Sequence, residues 1–481
     1  MKLSDLLRGI DVLRTTVDLN TDINAVVYDS RKALPGCLFV AMAGFETDGH
    51  EYISSALEKG AAAVICQHAP AGAPCVTVSD PRAALARIGA NFFRNPAEEM
   101  TIIGVTGTNG KTTTTYILKT LLEKAFGAKV GLIGTNQNMI GDKALPAERT
   151  TPESFELQAL LREMADAGCT HVVMEVSSHA LSLHRVDGIS FRTGIFTNLT
   201  QDHLDFHRTM EDYLAAKAKL FGMCEAGIFN IDDEYAGELM KNAACRIFTY
   251  SAIRNEADLV AKNINLKPDR VEFEALTIDA ISRAELHIPG RFSVYNALAA
   301  IAAMLELGAP LTTITSAIKS AKGVKGRMEV VPTGGRDFTI IIDYAHTPDA
   351  LENVIRTVKD FSKGRTVVLF GCGGDRDPIK RPLMGQVAAR LADYVIVTSD
   401  NPRTEKPEKI IEEIVGGMEG IKTPYTVITD RIEAIHYAID SHESNDIIIL
   451  AGKGHETYQI VGKTKRHMDE REIVAEWLAR K

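Results

Sequence analysis

The feature that most constrains the fold is the run Gly107-Thr108-Asn109-Gly110-Lys111-Thr112-Thr113. It sits between an apolar, β-branched segment, Thr101–Thr106, and a stretch with helical spacing from Lys111 to about Phe126. A strand that passes through a glycine-bearing loop straight into a helix aims backbone N–H groups and a helix N-terminus at one point, where an anion binds. Glycines let the backbone approach closely. Lys111 adds a mobile positive charge, and Thr112 or Thr113 can offer a hydroxyl to Mg²⁺. The strict form of such a loop needs glycine where this chain has Val105, and the nearest glycines are Gly104 and Gly107, so the loop is a variant. Further strands are expected at 171–176 and 194–198, and strands alternating with helices call for a parallel sheet covered on both faces.

Length and pattern extend this to three domains. At about 150 residues per domain, 481 residues suggest roughly three. The first, 1–98, carries short apolar runs at 37–42, 62–66 and Cys75–Val78, then helical spacing over 82–93, and ends at the chain-breaking pair Asn95-Pro96. The second, 99–329, holds the phosphate loop. The third, 330–481, repeats strand-like runs at 338–343, Thr366–Phe370, 394–398, 425–429 and 446–450 with helical stretches between them. The expected fold is therefore α/β: a smaller N-terminal α/β domain, a central P-loop ATPase-type parallel sheet and a C-terminal Rossmann-like domain. A formal net charge of -9 argues against a nucleic-acid partner. The seven cysteines are scattered with no CxxC pair, as for thiols in a reducing cytoplasm. No apolar run approaches the roughly 18 residues of a membrane span. The first ten residues mix Lys2, Asp5 and Arg8 with leucines, unlike a signal peptide. A cytoplasmic monomer without membrane contact is expected.

Four further motifs accompany the loop: Met174-Glu175-Val176-Ser177-Ser178-His179, Asp202-His203-Leu204-Asp205, Asp343-Tyr344-Ala345-His346 and Gly452-Lys453-Gly454-His455-Glu456. With the loop, and in this order, they resemble the Mur ligase family, and within it the ligase that adds the third residue of the stem peptide. The resemblance implies one domain for a UDP-sugar, a central ATPase domain and a C-terminal domain that receives an amino acid. It implies an ATP-dependent ligation in which a carboxylate becomes an acyl phosphate, an amine attacks, and the tetrahedral intermediate collapses to an amide and phosphate. Such chemistry must hold polyphosphate, neutralise growing negative charge and position an uncharged amine.

The same resemblance implies roles residue by residue. Gly107 to Thr113 hold ATP, with Lys111 catalytic. Thr112 and Glu175 hold Mg²⁺, since hard cations favour oxygen ligands, and His203 is a catalytic ligand of a second Mg²⁺. Lys217, which by sequence alone belongs on a solvated helix face, becomes a carbamylated lysine with anionic ligand oxygens. Asn296, Arg327 and His346 approach the nucleotide. Ser30, in the turn Asp29-Ser30-Arg31, contacts uridine. Thr150, Thr151, Ser177 and Arg185 hold UDP-N-acetylmuramoyl-L-alanyl-D-glutamate.

For the amino acid, Asp400, Asn401, Pro402 and Arg403 form the sequence that in the family marks addition of meso-diaminopimelate. That substrate carries a carboxylate at its far end where lysine has none, and a guanidinium can grip it with two hydrogen bonds. Asp400 or Glu456 can receive the far ammonium, and Arg376, Gly452 and Glu456 match substrate contacts of the family. A lysine-adding sibling conflicts with Arg403, which repels a far ammonium. A plain P-loop ATPase needs neither Lys217 nor the Asp400–Arg403 run, and a folate polyglutamylating ligase lacks both that run and the Asp29-Ser30-Arg31 turn.

Overall fold

Five short strands build the first sheet: β1 (Val12–Thr15), β2 (Ala25–Val27), β3 (Cys37–Val40), β4 (Ala63–Cys66) and β5 (Cys75–Val78), in the order β1-β5-β4-β3-β2. β2 to β5 run parallel and β1 is antiparallel to β5. Every residue of β3 and β4 is buried, which explains their continuous apolar runs. Helix Pro81–Phe92 follows, with Pro81 in its first turn and the Asp80 carboxylate accepting the N–H groups of Arg82 and Ala83 at 2.8 and 3.2 Å. The Asn95-Pro96 break is a tight corner: Arg94 and Asn95 take left-handed backbone angles (φ 61° and 47°), and a 3-10 turn, Pro96–Glu99, leads into the next strand.

The computed structural model describes residues 1–44, 47–200 and 202–480. The chain gathers into two units. One comprises Met1–Tyr250, Glu256–Asp258 and Ala302–Ala309; the other comprises Ser251–Asn255, Leu259–Ile301 and Pro310–Lys481.

In the first unit the central strands are β6 (Thr101–Thr106), β7 (Val130–Ile133), β8 (Asn138–Ile140), β9 (Lys143–Leu145), β10 (His171–Glu175), β11 (Phe191–Phe196), β12 (Cys224–Asn230) and β13 (Arg246–Ser251). They follow the order β13-β12-β11-β6-β10-β7-β8-β9. The middle is parallel as expected, but β8 and β9 extend it antiparallel, so the sheet is mixed. β11 starts three residues before the expected strand at 194–198. Its Gly194 lies in register with Gly104 and Gly227, and a Cβ on Gly104 would come within 2.9 Å of the Phe191 ring. Glycine inside these strands makes room for aromatic rings on the sheet face. Helix Ser154–Asp166 joins the two sheets of this unit: Phe155 lies 5.6 and 5.1 Å from the rings of Phe92 and Phe93, and Tyr28 donates to Glu156 at 2.6 Å.

The second unit contains an antiparallel meander, β14 (Leu259–Leu266), β15 (Val271–Leu276) and β16 (Ile281–Leu286). Its main sheet is β17 (Glu329–Val331), β18 (Thr339–Asp343), β19 (Thr366–Phe370), β20 (Tyr394–Val397), β21 (Tyr425–Val427) and β22 (Ile447–Ala451), ordered β17-β18-β22-β19-β20-β21. All but β17 run parallel. Ile341, Val368, Val395 and Ile449 pack with helices Pro348–Lys359, Lys380–Leu391 and Pro407–Gly416, whereas Ile340, Leu369, Ile396 and Leu450 pack with Arg431–Asp440 and Glu470–Ala479. Alternate strand residues thus feed two cores, the doubly wound arrangement. A hairpin, β23 (Tyr458–Val461) and β24 (Thr464–His467), completes the unit.

Candidate functional site

The phosphate loop is fastened along its length to the segment after β11. Thr108 N–H donates to Asn198 O at 2.9 Å, Asn109 N–H to Asn198 Oδ1 at 2.9 Å, and Thr197 Oγ1 to Asn109 O at 2.6 Å. A Cβ at Gly107, where φ is +147°, would fall 1.9 Å from Thr197 Oγ1, so this contact requires glycine. Gly110 turns the chain at φ +86° into the helix Lys111–Phe126, whose first turn carries Thr112 and Thr113. Lys111 Nζ folds back on the loop, donating to Gly107 O and Thr108 O at 2.8 and 2.9 Å. The Thr108 and Asn109 N–H groups and the ammonium are thus held by partners within the protein, and the start of the helix is the anion-attracting element of the loop.

At the carboxyl end of β10, Glu175 is 1% exposed, and its oxygens accept the N–H and hydroxyl of Thr135 at 2.9 and 3.0 Å. Thr135 Oγ1 also lies 3.0 Å from Thr150 Oγ1. Thr151, fully buried, donates to Glu175 O at 2.8 Å and accepts from Ser177 N–H at 3.2 Å. Arg185 donates to Thr151 O at 3.3 Å and pairs with the buried Glu153. Glu175, Thr150, Thr151, Ser177 and Arg185 therefore form one connected group. Its acidic hub, Glu153, went unnoticed in the sequence although it follows Thr151 by two residues.

Lys217, on helix Met210–Ala218, is 1% exposed. Burial, reinforced by the charge of Lys111 and opposed by Asp202, holds its ammonium well below the usual lysine range. Nζ lies 4.4 Å from the centroid of the Tyr213 ring, and the Tyr213 hydroxyl lies 3.2 Å from Thr108 Oγ1 in the phosphate loop. Tyr213, unforeseen from sequence, thus connects the lysine to the loop. His203 is exposed at φ +53°, an uncommon angle outside glycine, with its ring 4.8 Å from that of His179. A short helix, Leu204–His207, follows His203 directly; Gln201 lies outside the described residues. His207 stacks on Tyr213, contacts Ser178 Oγ at 2.8 Å, and is pushed down to about 4 by burial and by His179 and Lys217. Among the described residues no group of three or more His, Cys, Asp and Glu side chains could hold a metal ion. The expected Mg²⁺ donors include two side chains of those types, Glu175 and His203, together with the Thr112 hydroxyl and a modified Lys217. An oxygen-rich set of this sort suits Mg²⁺.

In the N-terminal sheet region Ser30 opens the 3-10 turn Ser30–Lys32, and its carbonyl accepts from Lys59 Nζ at 2.8 Å. Asp29 caps the turn, and the Arg31 guanidinium holds its carboxyl down at about 2.

The second unit gathers its motifs at the carboxyl ends of β18, β19, β20 and β22, where a doubly wound sheet binds ligands. Asp343, buried and raised by that burial, accepts N–H groups from Met328 and Ala345, both at 2.8 Å. His346 is exposed, with Nδ1 2.8 Å from Tyr344 O. Arg327 lies 5.2 Å from the Tyr344 ring, and Asn296 is buried on helix Arg291–Glu306. After β19, Arg376 is exposed. After β20, Asp400, Asn401 and Pro402 are buried and Arg403 is half-buried at φ +51°, donating through Nη1 to Gly374 O at 2.7 Å. After β22, a Cβ at Gly452 (φ +110°) would meet Asp400 Oδ2 at 2.9 Å, and Glu456 Oε2 accepts from Asn401 Nδ2 at 2.9 Å. Lys453, quoted in its motif but given no role from sequence, is fully buried between them.

Known proteins match throughout. Three family models align: Mur ligase family, catalytic domain, at residues 22–93; Mur ligase middle domain at 105–304; and Mur ligase, glutamate ligase domain, at 326–454. A UDP-N-acetylmuramoyl-L-alanyl-D-glutamate--2,6-diaminopimelate ligase of Caldanaerobacter subterraneus subsp. tengcongensis is 50% identical over 100% of this chain and 99% of its own. One of Clostridioides difficile is 46% identical over 100% of both. A solved structure of a UDP-N-acetylmuramoyl-L-alanyl-D-glutamate--2,6-diaminopimelate ligase superposes with a TM-score of 0.77 at 31% identity, covering 100% of this chain and 99% of that one.

Proposed function

The chain belongs to the Mur ligase family, and we propose that it adds meso-2,6-diaminopimelate to the D-glutamate of UDP-N-acetylmuramoyl-L-alanyl-D-glutamate, an ATP-dependent ligation in peptidoglycan precursor synthesis. The observation that carries the choice of amino acid is the charge layout of the second unit. A guanidinium, Arg403, and two carboxylates, Asp400 and Glu456, belong to one hydrogen-bonded assembly joined through Asn401. An amino acid with a second ammonium and a second carboxylate complements that set.

ATP with Mg²⁺ supplies the phosphoryl group that turns the D-glutamate carboxylate into an acyl phosphate. The residues that would hold it are Gly107 to Thr113, with Thr112 and Glu175 toward the metal. Lys111 would neutralise charge on the transferring phosphate. Carbamylation of Lys217 is favoured by its burial, which lowers the amine's pKa toward the free form that carbon dioxide needs, and the carbamate would offer anionic oxygens beside the loop. Thr150, Thr151, Ser177 and Arg185 would position the muramoyl dipeptide, Ser30 the uridine, and Asn296, Arg327 and His346 the nucleotide; Arg376 and Gly452 would line the amino-acid pocket. We keep the division 1–98, 99–329 and 330–481, supported by one main sheet in each segment, and a cytoplasmic monomer as the working form. Among the described residues no helix is long and apolar enough to cross a membrane.

The test is to incubate the chain with ATP, Mg²⁺ and the UDP-muramoyl dipeptide plus either meso-diaminopimelate or L-lysine, then to weigh the products and measure phosphate. The tripeptide product with diaminopimelate alone is expected. Phosphate release indifferent to any amino acid, or a lysine product formed as fast, refutes the assignment.

A further inference from the structure

An ammonium removed entirely from water is costly unless neighbours replace the lost hydration. Lys453 meets that requirement through two residues of the amino-acid site. Its Nζ donates to Asn401 Oδ1 and to Glu456 Oε2, both at 2.9 Å, and lies 5.4 Å from the centroid of the Tyr458 ring. Asn401 closes the triangle by donating through Nδ2 to the same Glu456 oxygen at 2.9 Å. Both bonds to Glu456 fall on Oε2, so Oε1 is the oxygen that neither takes. The Asn401 amide is fixed in one orientation, because Oδ1 also accepts the N–H of Ile460 at 2.9 Å.

The triangle sits inside a wider attachment. Gln459 Nε2 donates to Asp400 O at 2.7 Å. Arg403 N–H donates to Ile460 O at 3.1 Å, and Arg403 O accepts from Gly462 N–H at 2.7 Å. The segment Asp400–Arg403 is thereby sewn to the β23 hairpin, while Lys453 ties it to the loop after β22. The left-handed backbone of Arg403 is held by these bonds on both sides.

We propose that Lys453 is a positioning residue for amino-acid selection: held in place by Asn401, it orients Glu456 and so sets the spacing between the carboxylate at position 456 and the guanidinium at position 403. This rests on the reading above that this sheet edge receives the incoming amino acid. A purely structural ion pair is the rival account. Replacing buried pairs by apolar residues is often nearly neutral for stability, so stability does not separate the two. Substrate-resolved kinetics does.

The variants are K453M, K453Q, E456Q and K453M/E456Q, each checked for folding by circular dichroism. Steady-state kcat and KM are measured for meso-diaminopimelate, ATP and the muramoyl dipeptide. K453M and K453Q are expected to raise the KM for diaminopimelate by about tenfold or more while leaving the other two KM values within about twofold. Because the lysine acts through Glu456, K453M in the E456Q background is expected to add less than about twofold. Equal shifts in all three KM values, an unchanged KM for diaminopimelate, or multiplying effects in the double variant overturn the proposal. If K453M fails to fold, K453M/E456Q, which leaves no unpaired carboxylate, is compared with E456Q: the same KM for diaminopimelate supports the role and a different one overturns it. A wild-type protein that ligates no diaminopimelate overturns the functional reading itself; a wild type that does, with variants that fail these expectations, overturns this inference alone.

Discussion

Arg403→Ala separates selection from general support. The side chain is half-buried, its Nη1 donates to Gly374 O at 2.7 Å, and a Cβ on Gly373 would come within 2.9 Å of that nitrogen. Truncation removes two things. The bond to Gly374 is worth about 1 kcal/mol net, and its loss falls on every substrate alike. The paired contact with the far carboxylate is worth roughly 2–5 kcal/mol and falls on diaminopimelate alone. Together these come to roughly 3–6 kcal/mol for diaminopimelate, so at about 1.4 kcal/mol per factor of ten its kcat/KM should drop by about 140-fold to 20,000-fold. For L-lysine it should change by about fivefold at most, which is what 1 kcal/mol allows. Alanine inherits the left-handed angle of +51°, a strain that glycine does not feel. Arg403→Gly is therefore the control: if the fall came from backbone strain, glycine recovers the activity, whereas loss of the guanidinium leaves both variants equally poor. Lysine at this position keeps the charge without the fork and should fall between. The assay is kcat/KM for both amino acids on all four proteins. A common factor for the two amino acids in Arg403→Ala refutes the selective role.

Three further outcomes follow from the geometry. Lys111→Ala should leave the circular dichroism spectrum intact and abolish both phosphate release and ligation; activity within about tenfold of wild type, a barrier change of about 1.4 kcal/mol, counts against its role. Lys217→Ala should be nearly inactive and partly restored by formate or acetate, and the intact wild-type protein should weigh one carbon dioxide more than its sequence; a fully active preparation with an unmodified lysine refutes the carbamate. Arg381 and the N–H of Asp375 hold the Glu405 carboxyl at about 2, below the ordinary 4.5. Because the folded value is the lower one, the stability it contributes is present above about pH 4.5 and is lost as pH falls toward 2. Melting temperatures of Glu405→Gln should therefore depend less on pH than those of wild type across that window, and parallel curves refute the pairing.

Legibility in the sequence followed the range of the interaction. The strand Thr101–Thr106 and the helix Lys111–Phe126 stand where their local pattern put them, because a β-branched run, a glycine loop and helical spacing are adjacent in the chain. The same holds for Cys75–Val78 and Thr366–Phe370, whose apolar runs end at turn residues. The antiparallel strands β8 and β9 were missed because three residues each carry too little period to register. Lys217 was harder. Its helix places it four residues after Tyr213, on the same face, and nothing local tells that face from a solvated one. Only the family resemblance moved the lysine inward, and the structure finds it 1% exposed.

Lys453 marks the limit of such reading. Its partners are Glu456, three residues on, and Asn401, fifty-two residues back, brought together by the order β22-β19-β20. A lysine between two glycines looks like any loop cation until that order is known. What decides its role is the register of parallel strands, which lines up Val368 with both Ile449 and Val395 and so delivers two distant loops to one edge. The role proposed for Lys453 makes selection of the amino acid depend on more than the four residues Asp400 to Arg403. The segment is an arginine, a turn and two polar side chains, and its geometry is imposed by Lys453 and the β23 hairpin. Transplanting those four residues alone into a sibling ligase should accordingly fail to transfer the preference for diaminopimelate, whereas transplanting them together with 452–462 should carry it; kcat/KM for the two amino acids on both chimaeras decides, and full transfer by the four residues alone refutes the dependence on Lys453.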